Sequence, residues 1–425
     1  MAEDHEMNPK PARAATITAL VIYAVAVLFV LAWAQTPILA PSNINRTQAA
    51  LEPLRSVSDS VFMFSQGGLM SNNNMPWRAL GIFALWLCAL SSLGIGVSRG
   101  IFPAGLLWEE RLLFGFGAGY IITGLAVLFA GLAGYATPDS AALIILLALL
   151  AGLWLCRRQI AGILRRRPPP HTDNHGEHGQ ARTNTDKHGE HGAWQASWRA
   201  PAPPRPDNWR VAARILLFFL CAFMAAGFLY AMTPPIQSDA MRYHLAAPQE
   251  WLKTGRITLL PLNAFSNFPF LPNMHYMIAL AWDGPEASQM MHFAMLALVT
   301  AGLCGFVRRF VEPLYGSPPP RSAPFIRLVV ATMYAGVPAV FIVASWPFVD
   351  QMFVFFVFAS LYSMLLALRS GSLAAYVFTG VMMGGALGSK YTALIFFGVL
   401  MALALIELFV GPPPPTPGAL AARRR

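Results

Sequence analysis

About ten apolar stretches, each 17 to 22 residues long, recur along this sequence, and they constrain its fold more than any motif does. They are 14–35, 79–98, 112–133, 140–156, 211–232, 287–307, 326–345, 348–368, 373–389 and 391–410. A bilayer's hydrocarbon core is about 30 Å thick, and roughly 20 apolar residues cross it as a helix. Only a helix or a closed barrel satisfies its own backbone polar groups in lipid. The first stretch is too long for a secretory signal and lacks the cleavage pattern of one. The pattern predicts an all-α, polytopic integral membrane protein of about ten transmembrane helices.

Composition agrees. The 425 residues are 56% hydrophobic and 12% charged, against about 45–50% and about 25% in soluble domains. Mean hydropathy is +0.51. These values exclude a soluble globule, a disordered chain and a disulfide scaffold. Cys88, Cys156, Cys221 and Cys304 each sit in or at the end of an apolar run without C-x-x-C spacing, so they read as packing residues. The net charge of +10 would suggest nucleic acid on a soluble protein. Here the basic residues read as topology signals. With both termini inside and alternating spans, 23 of the 30 Lys and Arg fall on the cytoplasmic side. The expected location is therefore the inner cell membrane, with membrane lipids and no nucleic acid as partners.

Four regions follow: a four-span front at 1–156, a linker at 157–208, a six-span core at 209–410 and a cytoplasmic tail at 411–425. The linker is polar and rich in Pro, Arg and His, without periodicity, and reads as disordered. HGEHG occurs in it twice. His175, His178, His188 and His191 are of the type that binds divalent metals, although a solvated low-complexity tract is the better account of them. Asn45-Arg46-Thr47 matches the glycosylation sequon, a weak signal at three residues.

Charges beside spans are costly and call for a reason. Glu109, Glu110 and Arg111 open a helix on the cytoplasmic side, where carboxylates suit the positive helix end. The outer loop after 211–232 is denser, with Asp239, Arg242, Tyr243, His244, Glu250, Lys253 and Arg256. From Asp239 to Gly255 it suits a short amphipathic helix with Met241, Leu245, Trp251 and Leu252 on the apolar side. Tyr243 follows Asp239 by four residues and shares its face. Residues 269–282 are too short to cross and read as a helix in or dipping into the outer leaflet, with Tyr276 and Trp282 at the interface. Asp350 opens span 348–368, and Lys390 lies between the last two apolar helices. The topology puts Asp239, Asp350 and Lys390 at one level on the outer side. Helix capping for the carboxylates and snorkelling for the lysine are the plain alternatives.

In this order the pieces resemble the membrane core of the GT-C glycosyltransferases, the branch related to protein mannosyltransferases and aminoarabinose transferases (glycosyltransferase family 39-like). The matching segments are SDAMRYHLAAPQEWLKTGRI, FPFLPNMHYMIAL, GFVRRF, SWPFVDQMFVFF and GVMMGGALGSKYTAL. The resemblance covers residues 211–410, about half the chain. It implies transfer of a sugar from a polyprenyl-phosphate carrier to a glycan, lipid or protein acceptor on the outer, periplasmic side. By the match, Asp239 is the catalytic carboxylate and Asp350 a second acidic group of the same cavity. Lys390 corresponds to the cation near the carrier phosphate. Independently of the match, the chemistry of Arg242 or Arg256 suits further phosphate contacts, and that of Tyr243, His244 and Trp251 suits packing on a sugar or isoprenoid. A divalent metal is a compatible cofactor, but Ser238 stands where many relatives carry a second acidic residue, and no residue is assigned to a metal. The physical requirements agree: glycosyl transfer to a hydroxyl needs a base at the acceptor and stabilisation of the departing phosphate. A transporter or lipid flippase would use the same charges on a substrate path, and a non-catalytic assembly protein would tolerate their loss. No internal repeat of the transporter kind is evident.

Overall fold

The computed structural model describes residues 75–102, 105–165, 208–260, 263, 265, 268–282, 284–316 and 322–410. The expected first span at 14–35, the Asn45 sequon, the four linker histidines and the tail at 411–425 lie outside them. The described residues are 84% helical and contain no strand. In chain order the helices are α1 (Met75–Ile101), α2 (Trp108–Leu132), α3 (Pro138–Arg165), α4 (Asn208–Ala231), α5 (Ala246–Thr254) and α6 (Leu271–Ala281). They continue with α7 (Pro285–Phe306), α8 (Ala323–Ala335), α9 (Pro338–Ala344), α10 (Asp350–Ser370), α11 (Leu373–Leu387) and α12 (Ala393–Val410).

Six helices are long and apolar enough to cross a bilayer: α1 to α4, α7 and α10. The stretch expected as one span at 326–345 is instead two helices, α8 and α9, bent by 69°. Pro338 explains the break. It cannot donate a backbone hydrogen bond, and it holds Val337 extended at φ −67, ψ 118. Counted as one span, the pair makes seven. Helices α11 and α12 are apolar but shorter, so of the nine expected spans that fall on described residues, six to seven are long enough to cross. Helix α3 also runs on to Arg165 through residues assigned to the linker. Arg, Gln, Ala and Leu there are good helix formers, and Pro168 follows. Arg157 donates to the Trp154 carbonyl at 2.7 Å, and its guanidinium lies 4.1 Å from the Trp154 ring centre.

Two expectations for the loop after α4 change in detail. The amphipathic helix is divided into a π-helical turn, Ala240–His244, and α5. Pro248 has no N–H to give the His244 carbonyl, so the helical ladder cannot run through. Leu245 and Trp251 are buried as expected, whereas Met241 is exposed. Gly255 ends α5 at φ 68, a left-handed position that suits glycine. The short apolar segment does form a non-spanning helix, α6, but the protein covers it. Residues Pro272 to Ala279 are buried against α2, α3, α5 and α7. Tyr276, expected at the interface, is fully buried and donates to the Phe348 carbonyl.

Helices from both sides of the linker share one core. Lipid tails offer helices no hydrophobic reason to associate, so close packing and polar contacts must hold them together. Helices α1 and α2 meet backbone to backbone: a Cβ on Gly94 would lie 1.6 Å from the Gly115 carbonyl oxygen. Trp86 of α1 donates Nε1–H to His275 Nδ1 of α6 at 3.0 Å, and His275 Nε2 meets the Tyr120 carbonyl of α2 at 3.0 Å. These bonds assign His275 a single neutral tautomer, with Nδ1 accepting and Nε2–H donating.

The strongest polar joint lies at the start of α2. Glu110 is fully buried and accepts from Arg309 Nε at 2.8 Å, Arg309 Nη2 at 2.6 Å, Tyr362 OH at 2.7 Å and the Leu107 N–H at 2.7 Å. Arg308 approaches Glu109 at 3.7 Å, and Arg327 pairs with Glu312. This end of the bundle gathers arginines that the sequence assigned to one side of the membrane. Glu110 was expected only to suit the positive end of its helix. In fact it joins the front to an arginine in the π-helical turn Val307–Val311 that follows α7. Glu110→Ala removes the acceptor shared by four donors at this part-buried joint. It is expected to lower stability by about 3–5 kcal/mol, the scale for breaking a buried ion pair. Thermal unfolding of the purified protein in detergent checks this, with Glu110→Gln expected to lose less.

Candidate functional site

Asp239, Asp350 and Lys390 come from three separate stretches and line one cavity of about 280 Å³. Asp239 immediately precedes the π-helical turn. Asp350 is the first residue of α10, and Lys390 sits in the turn between α11 and α12. Their placement follows from backbone contacts. The Leu271 N–H at the start of α6 donates to the Gly388 carbonyl at 2.9 Å, tying α6 to the lysine turn. Lys390 N–H and Ala393 N–H close that turn onto the Ala386 and Lys390 carbonyls at 3.0 and 3.1 Å. The start of α10 is fixed by buried His292, whose Nε2 accepts from the Gln351 N–H at 2.9 Å. Gln351 in turn donates to the Val340 carbonyl at 3.1 Å and accepts from Tyr334 OH at 2.9 Å.

Asp239 makes no side-chain bond to its helix end, and Asp350, in the first turn of α10, suits the positive end of that helix. Lys390 Nζ lies 2.7 Å from Asp350 Oδ1, with the Asp350 side chain 13% exposed and Lys390 37%. Such a pair keeps the ammonium at the cavity wall. Tyr243 OH donates to Asp239 Oδ2 at 3.1 Å, as the four-residue spacing anticipated. Half-burial raises the Tyr243 phenol, with Asp239 and then Asp350 adding to the shift, so it keeps its proton and remains a donor to Asp239. Asp239 Oδ1 has only a 3.5 Å contact with Ser238 Oγ.

His244 also lines the cavity. Burial lowers its pKa to about 4, with Asp350, the Asn273 side chain and Asp239 offsetting this only in part, so the ring is neutral at physiological pH. Arg242 and Arg256 do not line the cavity. Arg242 offers its backbone carbonyl to Asn263 Nδ2 at 2.9 Å, and Arg256 Nε donates to the Leu132 carbonyl at 3.4 Å. Trp251 likewise faces inward: its Nε1–H donates to the Thr258 carbonyl at 2.9 Å, and its ring packs 5.1 Å from Phe270.

The sequence reading did not include Asn273, Ser389 or the aromatic mouth of the cavity. Phe265 stacks on Tyr243 with centroids 5.0 Å apart, and Phe268 meets Phe265 at 5.5 Å and Tyr391 at 6.0 Å. The run AFSNFPF carried the only signal, three phenylalanines in the loop beside the Asp239 segment. Asn273 gave none, because it lies inside an apolar run. Among the described residues no group of three or more His, Cys, Asp or Glu side chains converges as a metal site. The cavity thus combines a carboxylate steadied by a tyrosine, an ammonium held by a second carboxylate, neutral polar groups and an aromatic rim. No protein-family model, no curated protein and no solved structure matches this chain.

Proposed function

We propose that the protein transfers a sugar from a polyprenyl-phosphate carrier to an acceptor hydroxyl on the outer side of the membrane. The observation that carries this reading is the convergence of Asp239, Asp350 and Lys390 in one cavity at the end of the bundle opposite the Glu110 and Arg309 joint. The separation of the two ends follows from α10, which begins at Asp350 and reaches Tyr362 of that joint twelve residues later, roughly 18 Å along its axis. The positive-inside pattern makes the arginine-rich end cytoplasmic and the cavity outer.

The chemistry assigns each charge a task. The acceptor hydroxyl gives its proton to the Asp239 carboxylate as its oxygen bonds to the anomeric carbon. The bond from that carbon to the phosphate oxygen breaks, and the carrier leaves as polyprenyl phosphate, with its new charge facing the Lys390 ammonium. Attack opposite the leaving group inverts the anomeric centre. Tyr243 orients Asp239, and Asp350 holds Lys390 in place. Phe265, Phe268 and Tyr391 give the carrier's apolar chain or a sugar face a surface to lie on. The likeness of residues 211–410 to GT-C enzymes supports the same reading. The test is a comparison of cell-envelope glycans and lipid-linked sugars between wild-type and deletion strains. Loss of a sugar modification together with accumulation of its carrier-linked donor is the expected result. Unchanged glycans, with labelled substrate entering proteoliposomes of the pure protein, would favour transport instead.

A further inference from the structure

We infer that His244 and Asn273 form a subsite for the hydroxyl groups of an uncharged donor sugar. The inference rests on the proposed glycosyl transfer and names the class of sugar it uses. His244 ends the π-helical turn, and Asn273 lies in the first turn of α6. Both line the cavity, at 7% and 4% exposure. His244 Nδ1 and Asn273 Oδ1 are buried and neither meets a partner at hydrogen-bond geometry among the described residues, although the two side chains lie close enough that Asn273 favours the protonated form of His244. A buried polar atom without a partner is costly and uncommon. Two of them on separate elements, on the wall of one cavity, indicate a polar ligand group that satisfies both.

The kind of group follows from the chemistry of the two side chains. A neutral imidazole offers one donor and one acceptor, and a carboxamide offers both. Neither side chain brings a charge to neutralise a phosphate or carboxylate. A sugar hydroxyl donates and accepts at once, and adjacent hydroxyls meet both side chains together. Position agrees as well. His244 feels the charges of Asp350, Asp239 and Lys390, which places it amid the base and the phosphate-facing ammonium, where a sugar in transfer must sit. The Tyr243 ring lies beside it, tilted by 53°, with 4.2 Å between ring centroids.

The test measures affinity of the purified full chain in lipid nanodiscs for short-chain polyprenyl phosphates. The probes carry mannose, glucose, galactose or glucuronic acid, or no sugar. Wild type is expected to bind at least one neutral-sugar form about 10- to 100-fold more tightly than the sugar-free carrier, each hydrogen bond contributing roughly tenfold. In His244→Phe and in Asn273→Leu that ratio should fall by about tenfold or more. His244→Asn, which keeps a polar atom near the Nδ1 position, should retain most of it. Cooperative thermal unfolding selects the variants that fold, and either one suffices. Ratios as in wild type in both variants, or a preference for glucuronic acid, would overturn the subsite. Loss of methyl hexoside binding in the presence of sugar-free carrier, with the carrier-linked ratio intact, would move the subsite to the acceptor and overturn the donor assignment. If no sugar-bearing carrier is preferred while envelope glycans still depend on Asp239, the subsite alone fails. If those glycans do not depend on Asp239 either, the functional reading fails with it.

Discussion

Asp239→Asn is expected to reduce sugar transfer by about 10²- to 10⁴-fold, the range for removal of a positioned general base. The substitution preserves shape, and a carboxamide oxygen still accepts from Tyr243 OH, which now lies 3.1 Å from Asp239 Oδ2. What is lost is the capacity to take the acceptor's proton. The effect should therefore fall on kcat, with KM for the carrier-linked donor not raised, because no contact to the carrier is removed. Measurement in cells compares envelope glycans at matched levels of inserted protein. Measurement in nanodiscs follows release of polyprenyl phosphate from a labelled donor. Transfer within about threefold of wild type would remove Asp239 from the role of base.

Lys390→Met should act in two ways at once. Loss of the cation facing the departing phosphate is expected to lower transfer by about 10²- to 10³-fold, the scale seen when one preorganised stabiliser of developing charge is deleted. It also leaves Asp350, 13% exposed, without the partner now 2.7 Å away. A stability loss of about 1–3 kcal/mol is expected, towards the lower figure because Lys390 is itself 37% exposed and solvent screens the pair. The double variant Lys390→Met with Asp350→Asn separates the two effects. It should regain much of the thermal stability and none of the transfer. A single variant that is unstable but fully active per folded molecule would make the pair structural only.

These residues show how much was legible in the linear sequence. Asp350 and Lys390 stood out because charge is expensive beside apolar helices. Counting basic residues then brought them to the level of Asp239. The spacing of Asp239 and Tyr243 predicted their shared face, and the structure has that hydrogen bond. Arg242 and Arg256 looked equivalent to them in composition, yet neither lines the cavity, since a charged residue in a polar loop is free to point away from it. Asn273 was hidden for the opposite reason: one amide in PFLPNMHYMIALAW alters the run's hydropathy little, and its importance comes from what faces it.

The sequence by itself determined the class of this protein. A series of apolar segments of bilayer length permits only helices that satisfy their own backbones. That argument is local, and it holds for six helices and for the bent pair α8 and α9 taken as one span. The tertiary structure alone decided which residues meet. Periodicity cannot say that Gly388 would hold the start of α6, or that Glu110 would accept from Arg309 and Tyr362. It cannot say that an asparagine and a histidine 29 positions apart would be left unsatisfied on one cavity wall. Those outcomes depend on how helices pack over long sequence separations, where close approach and buried polar pairing select the arrangement.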